Sequence, residues 1–302
     1  MRDPSRGIRC PNLDCMKAVA AGMRGWAGWI IVAGAIVWLL SLAVSLSNSP
    51  TGAVVSSDEG AQAVPYWVIL VPIAVGIALT VVLPRPSPSR PVSIGARGPF
   101  RVTTVGLVAL AIVFPVAVAV FPLEGEAYVL GKLVLLMIVP ASMLLAQRGG
   151  VKIEWNKDAS RWWAPAVVIV VWTLLSQVAP WNARFDPAGL DPAVILTAAI
   201  ATAITAGVGE ELFYRRWLQT RLEAAFGSWP GIILVALVFA LMHLGSHGTG
   251  DPLVDVARVI VVQGSFGLFV GVLWWRYRNL AAIIVVHLIS NGWAVAEVLI
   301  SA

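Results

Sequence analysis

Gly209-Glu210-Glu211-Leu212-Phe213-Tyr214-Arg215-Arg216 closes an apolar run, residues 192–208, that reads as a membrane span. Two adjacent carboxylates at the end of such a run are costly to desolvate, and an ionisable pair at membrane depth is a functional feature by default. The plainer reading is that the acids mark the water interface beside the arginines. The stretch alone leaves these readings even. The positions of the histidines separate them.

The surroundings are those of a membrane protein. The chain has 302 residues, 59% hydrophobic and 12% charged, about half the charge of an ordinary soluble domain. Its apolar runs are continuous rather than alternating, which selects helices over a β-barrel. The expected fold is therefore all-α, a polytopic bundle of about nine transmembrane helices. The expected spans are 26–46, 65–83, 102–121, 128–147, 164–178, 192–208 (its helix running on to about 226), 230–244, 253–277 and 280–299. The first span is long and followed by others, so it is expected to stay as a helix and not be cleaved as a signal peptide. Gly227 and Pro230 are the first breakers after the acid pair. Gly267 and Gly271 form a GxxxG pair for close helix packing.

Alternating the loops with the N-terminus inside places 18 of the 21 Lys and Arg on the cytoplasmic side, with Lys132, Arg184 and Arg258 as exceptions. This is the positive-inside pattern, and it accounts for the net charge of +5 without a nucleic-acid partner. It predicts cytoplasmic loops at 84–101 and 148–161, an outer loop at 47–63 and an outer C-terminus. Lys132 is expected to snorkel to the near interface. Cys10 and Cys15 are expected to be reduced thiols in the tail; they offer too few ligands for a metal site.

His243, His287 and Asn291 lie within apolar sequence, where each needs a partner or a wet cavity. Glu211 lies 17 residues before Ser228 and His243 lies 15 after it. At about 1.5 Å rise per residue, an antiparallel hairpin brings the two to nearly one level. His287 and Asn291 share one helix face, as do Phe239 and His243. Glu211 and Arg215 are spaced to pair, whereas Glu210 has Tyr214 at that distance and is the freer carboxylate. Each residue also has a plainer role. A histidine in a bundle can be a hydrogen-bonding strut, Asn291 can join two helices, and Tyr214 and Trp217 can be packing groups. His247 reads as a solvated loop residue. The arginines after the acid pair leave the depth of the site open, with the cytoplasmic half favoured.

Glu210-Glu211-x-x-x-Arg215, Phe239-x-x-x-His243 and His287-x-x-x-Asn291 occur in that order over 82 residues. Together they resemble the CPBP family of intramembrane proteases, which includes the CAAX prenyl endopeptidase of the Rce1 type and bacterial proteins tied to bacteriocin processing or immunity. The resemblance covers roughly residues 165–300. It divides the chain into a basic cytoplasmic tail (1–25), a four-helix region of unassigned role (26–163) and a protease core (164–302). It implies that Glu210 and His243 activate the attacking water, that Glu211 and Arg215 shape the site, and that His287 and Asn291 stabilise the oxyanion. The family has also been called metalloproteases. Glu210, His243 and His287 are then the zinc set, but no HExxH is present, and a metal-free glutamate mechanism is preferred. The implied partners are membrane lipid and a peptide or protein substrate, with lipid-modified or membrane-anchored chains among the options. The expected location is the cell membrane. The sequence carries no signal for oligomeric state. The rivals are a non-catalytic immunity or scaffold protein and a proton-coupled transporter.

Overall fold

The computed structural model describes residues 13–54, 63–85, 92–121, 123, 125–152, 163–182, 192–244 and 249–301. Expectations placed on Cys10, Arg184 and His247 fall outside the described residues. Nine helical stretches follow one another in the expected order. They are α1 (Leu13–Asn48), α2 (Tyr66–Val82), α3 (Arg97–Val120), α4 (Gly125–Ala146), α5 (Trp163–Val178), α6 (residues 192–226), α7 (Ser228–Leu241), α8 (Pro252–Tyr277) and α9 (Leu280–Ser301). Two short antiparallel ladders tie loops together: β1 (Ala53–Val54) with β2 (Ala63–Val64), and β3 (Ser93–Ile94) with β4 (Val151–Lys152).

Six stretches are long and apolar enough to cross a bilayer, while α2, α5 and α7 are shorter. At 14 residues, α7 reaches about 21 Å, less than the ~30 Å hydrocarbon core. Other boundaries also moved. The first span begins at Trp26, as expected, on a helix that starts earlier, at Leu13, because 13–25 is rich in Leu, Met, Ala, Lys and Arg, all good helix formers. The third begins at Arg97, since Pro99 falls in its first turn, where proline is tolerated. The expected break after α6 is present. Gly227 adopts φ +94°, a conformation suited to glycine, and Pro230 enters the first turn of α7.

The largest departure is in α6. It is α-helical over Pro192–Thr202 and Thr220–Phe226 but π-helical over Ala203–Gln219. A π-helix bonds i→i+5, so each turn holds more residues than the 3.6 of an α-helix. Helical periodicity in the sequence does not report this local widening. π-Segments in general concentrate at functional sites, and this one contains the whole acid stretch.

Two apolar clusters flank α6. One joins Leu107 and Phe114 of α3 and Leu136 of α4 to Phe213, Tyr214 and Phe239. The other joins Ile73 of α2, Val168 and Trp172 of α5, Phe269 and Trp274 of α8, and Ile283 of α9. Both cross position 163, so the first four helices pack as part of the same bundle as the last five. Helix association in lipid rests on close packing. A Cβ on Gly267 would meet Phe239 and Ala236 at 3.1–3.3 Å, and one on Gly271 would meet Ile232 at 3.2 Å. The GxxxG pair therefore faces α7, as its spacing predicts.

Exposed aromatic residues mark the two ends. Trp26, Trp29, Trp163, Phe226 and Trp229 lie at the end carrying Arg97, Arg221, Arg276 and Arg278, whereas Trp67, Phe121 and Trp181 lie at the other. This is the distribution of interfacial belts.

Candidate active site

The site forms where α4 and α9 close on the π-segment of α6. Two glycines let them approach. A Cβ on Gly209 would come within 2.8 Å of Met137 Sδ on α4, and one on Gly207 within 2.5 Å of Leu288 on α9. The neighbours of these contact residues are brought against the acid pair.

Glu210, Glu211 and Arg215 are fully buried, and His287 nearly so. His287 Nδ1 donates to Glu211 Oε1 at 2.6 Å. Its Nε2 lies 3.9 Å from Glu210 Oε2. Both carboxylates thus face one imidazole. In an α-helix adjacent residues point about 100° apart; the wider π-turn narrows that angle. Arg215 Nε stands 3.5 Å from Glu211 Oε2, the pairing its spacing predicts. Its guanidinium also lies 4.3 Å from the centroid of the Phe239 ring, a favourable contact between cation and ring face. Tyr214 packs edge-on to Phe239 and its hydroxyl reaches Met242 Sδ at 3.2 Å, which fixes α6 against α7.

The remaining oxygen of Glu210 is held from outside this group. Lys132 Nζ donates to Glu210 Oε1 at 2.6 Å and also lies over the Tyr128 ring. Lys132 is only 7% exposed, so it does not snorkel to an interface. The buried layer then contains two carboxylates, two cations and an imidazole. Such a group is tolerable in an apolar interior because its charges pair. The signal that would have found Lys132 was present: it is an ionisable residue within an apolar run, the argument applied to the glutamates.

The other two predicted residues stand apart from this layer. His243 follows α7, is half-buried, and its Nδ1 bonds to the Phe239 carbonyl at 2.9 Å. It is within electrostatic reach of Glu210, Lys132 and His287, yet among the described residues no hydrogen bond joins it to Glu210. The Phe239 ring neighbours both imidazoles, 4.9 Å from His243 and 6.2 Å from His287. Asn291 is exposed on α9, one turn beyond His287.

The alternative zinc set, Glu210, His243 and His287, does not fit a metal as placed. No group of three His, Cys, Asp or Glu among the described residues has the arrangement to hold one. One Glu210 oxygen is taken by Lys132 and His243 Nδ1 by the Phe239 carbonyl. Among the described residues, Glu210 Oε2, Glu211 Oε2 and all three guanidinium nitrogens of Arg215 have no hydrogen-bond partner. Buried polar atoms in folded proteins are nearly always bonded, so this layer retains capacity for a polar ligand.

No curated protein and no solved structure matches the chain. Residues 192–293 match the family model described as Rce1-like, type II CAAX prenyl endopeptidase Rce1-like. The acid pair, Arg215, both imidazoles and Asn291 lie within the matched residues, and Lys132 lies outside them. The stretch recognised from its three motifs is therefore the Rce1-like part of this membrane protein.

Proposed function

We propose that the chain is an intramembrane endopeptidase whose water nucleophile is activated between Glu210 and His287. The observation that carries this reading is Glu210 Oε2, unbonded and facing His287 Nε2 across 3.9 Å within the Rce1-like segment. A water between these atoms can donate a proton to each. As its oxygen bonds to the peptide carbonyl carbon, Glu210 accepts a proton and the carbonyl electron pair moves onto oxygen. The proton then passes to the amide nitrogen as the C–N bond breaks. Glu211 orients His287 through Nδ1, the part a carboxylate plays toward a catalytic imidazole elsewhere. The oxyanion donor is given to Asn291 by the motif alone, one turn beyond His287 on α9. The motifs give the water to Glu210 and His243; the distances favour His287, and His243 becomes a second imidazole on the wall formed by Phe239. No step requires a metal.

Lys132 is seven residues from the start of α4 and fourteen from its end, toward the end opposite the arginines, whereas His287 is seven residues from the start of α9 and fourteen from its end, toward the arginines. Glu210 lies 18 residues from the start of α6 and 16 from its end, so the proposed centre sits near the middle of the bundle. The substrate is a peptide or protein segment at the membrane, with CAAX-type prenylated chains as the first class to try. The test is cleavage of matched prenylated and unprenylated peptides by detergent-purified protein and by Glu210→Ala. Cleavage by the wild type and none by the variant is expected. An inert wild type, or equal cleavage by both, sinks the reading.

A further inference from the structure

We infer that Lys132 is a positioning residue for the base Glu210, so that the catalytic layer is completed by α4, outside the Rce1-like segment. The inference rests on the reaction proposed above. Lys132 Nζ bonds Glu210 Oε1 at 2.6 Å, across 78 positions of sequence. A carboxylate on a flexible side chain can rotate either oxygen toward its target. Tying Oε1 leaves Oε2 as the one presented to His287. The lysine is itself confined, buried beside the Tyr128 ring, which packs on Phe114 of the α3 and α4 cluster. Gly209 sets the gap between α4 and α6 that this reach requires.

Charge supports the same assignment. Arg215 neighbours Glu211 at 3.5 Å. Among the described residues Lys132 is the cation hydrogen-bonded to Glu210. Without it the layer would bury an uncompensated carboxylate, which is strongly unfavourable. The four helices with no motif of their own thereby gain a part in the reaction.

Lys132→Met and Lys132→Arg separate positioning from support. Arginine keeps the charge, but its planar fork differs in shape from the compact ammonium of lysine. Displacing a reacting group by about 1 Å can cost on the order of 100-fold in rate. Lys132→Met is expected to lose about that much in kcat with KM unchanged. Lys132→Arg is expected to melt like the wild type and lose about tenfold in kcat, part of the same misplacement cost. Wild-type kcat in Lys132→Arg overturns the positioning role, and that variant decides the matter if Lys132→Met fails to fold. If the wild type cleaves no peptide, the proposed reaction fails, and a second measurement still reads the lysine. The infrared carboxylate band of Glu210, taken as wild type minus Glu210→Gln, is expected to shift in Lys132→Arg. An unshifted band overturns the inference.

Discussion

Two polar layers cross the bundle on α6, and they differ in how completely they are bonded. In the layer near the arginine-rich end, Glu223 receives both Arg278 and Gln219. Gln219 also donates to the Gly271 carbonyl at 2.8 Å, and Thr220 accepts from Trp274 while donating to the Arg215 carbonyl. Gln219 Oε1 is left over, but both carboxylate oxygens are used. In the layer around His287, among the described residues, each carboxylate keeps one oxygen unbonded and Arg215 donates no hydrogen bond. The first layer joins α6 to α8 and the turn before α9. The second also pairs carboxylates with cations in the interior, and it is more deeply buried, yet it retains bonding capacity. The two layers thus differ in unspent donors and acceptors, and the proposed reaction centre is the one that keeps them.

The sharpest way to break this comparison is to neutralise the two acids of the open layer separately. Glu210→Gln is expected to lower the melting temperature, because it leaves Lys132 without its carboxylate, while cleavage per folded molecule falls about 10²–10⁴-fold, the loss of a general base. Glu211→Gln is expected to lose activity and also melting temperature, because it holds both His287 and Arg215. Thermal melting and cleavage rates measured side by side decide it. A Glu211→Gln protein that is stable but inert, beside an active Glu210→Gln, reverses the roles. Next in size is Asn291→Ala. An oxyanion donor is worth about 10²-fold in kcat, and since Asn291 is exposed the melting temperature should not move. A variant that cleaves normally removes Asn291 from the mechanism.

The closed layer should respond in the opposite sense. Glu223→Gln leaves Arg278 without its carboxylate. Breaking a buried pair of this kind costs roughly 3 kcal/mol of stability. The rate per folded molecule should stay at the wild-type value, and a rate loss without a stability loss would erase the distinction between the layers. The smallest expected effect is that of chelation. Exhaustive dialysis against EDTA or phenanthroline should leave cleavage unchanged; loss restored by zinc would return the metal mechanism.

Much of this arrangement was legible in the sequence because its signals were local. The nine apolar runs, the break at Gly227 and the packing face at Gly267 and Gly271 each follow from residues close together. So does the juxtaposition of Glu211 with Arg215, one turn apart. Lys132 was misread because a single lysine near the start of a span has an ordinary explanation in snorkelling. Its partner is 78 residues away, and no spacing rule links the two. The proposed exchange of roles between the histidines rests on distances that spacing does not give. A hairpin drawn with α-helical rise puts His243 level with Glu211, but spacing does not reveal that both imidazoles neighbour the Phe239 ring or which of them approaches Glu210 Oε2.

The π-helical segment of α6 has a consequence for related chains. Seventeen residues wound this way, Ala203–Gln219, complete fewer turns than the same number would in an α-helix. The segment therefore holds a reserve of rotational phase. Removing one residue between Thr202 and Gly209 could be absorbed by tightening a turn to α, but everything upstream would then swing relative to Glu210 and Glu211. Gly207 and Leu288 would lose their contact while the acids kept theirs with Arg215. Chain length in this stretch is thus a setting of the site, and a one-residue gap here carries more meaning than a substitution.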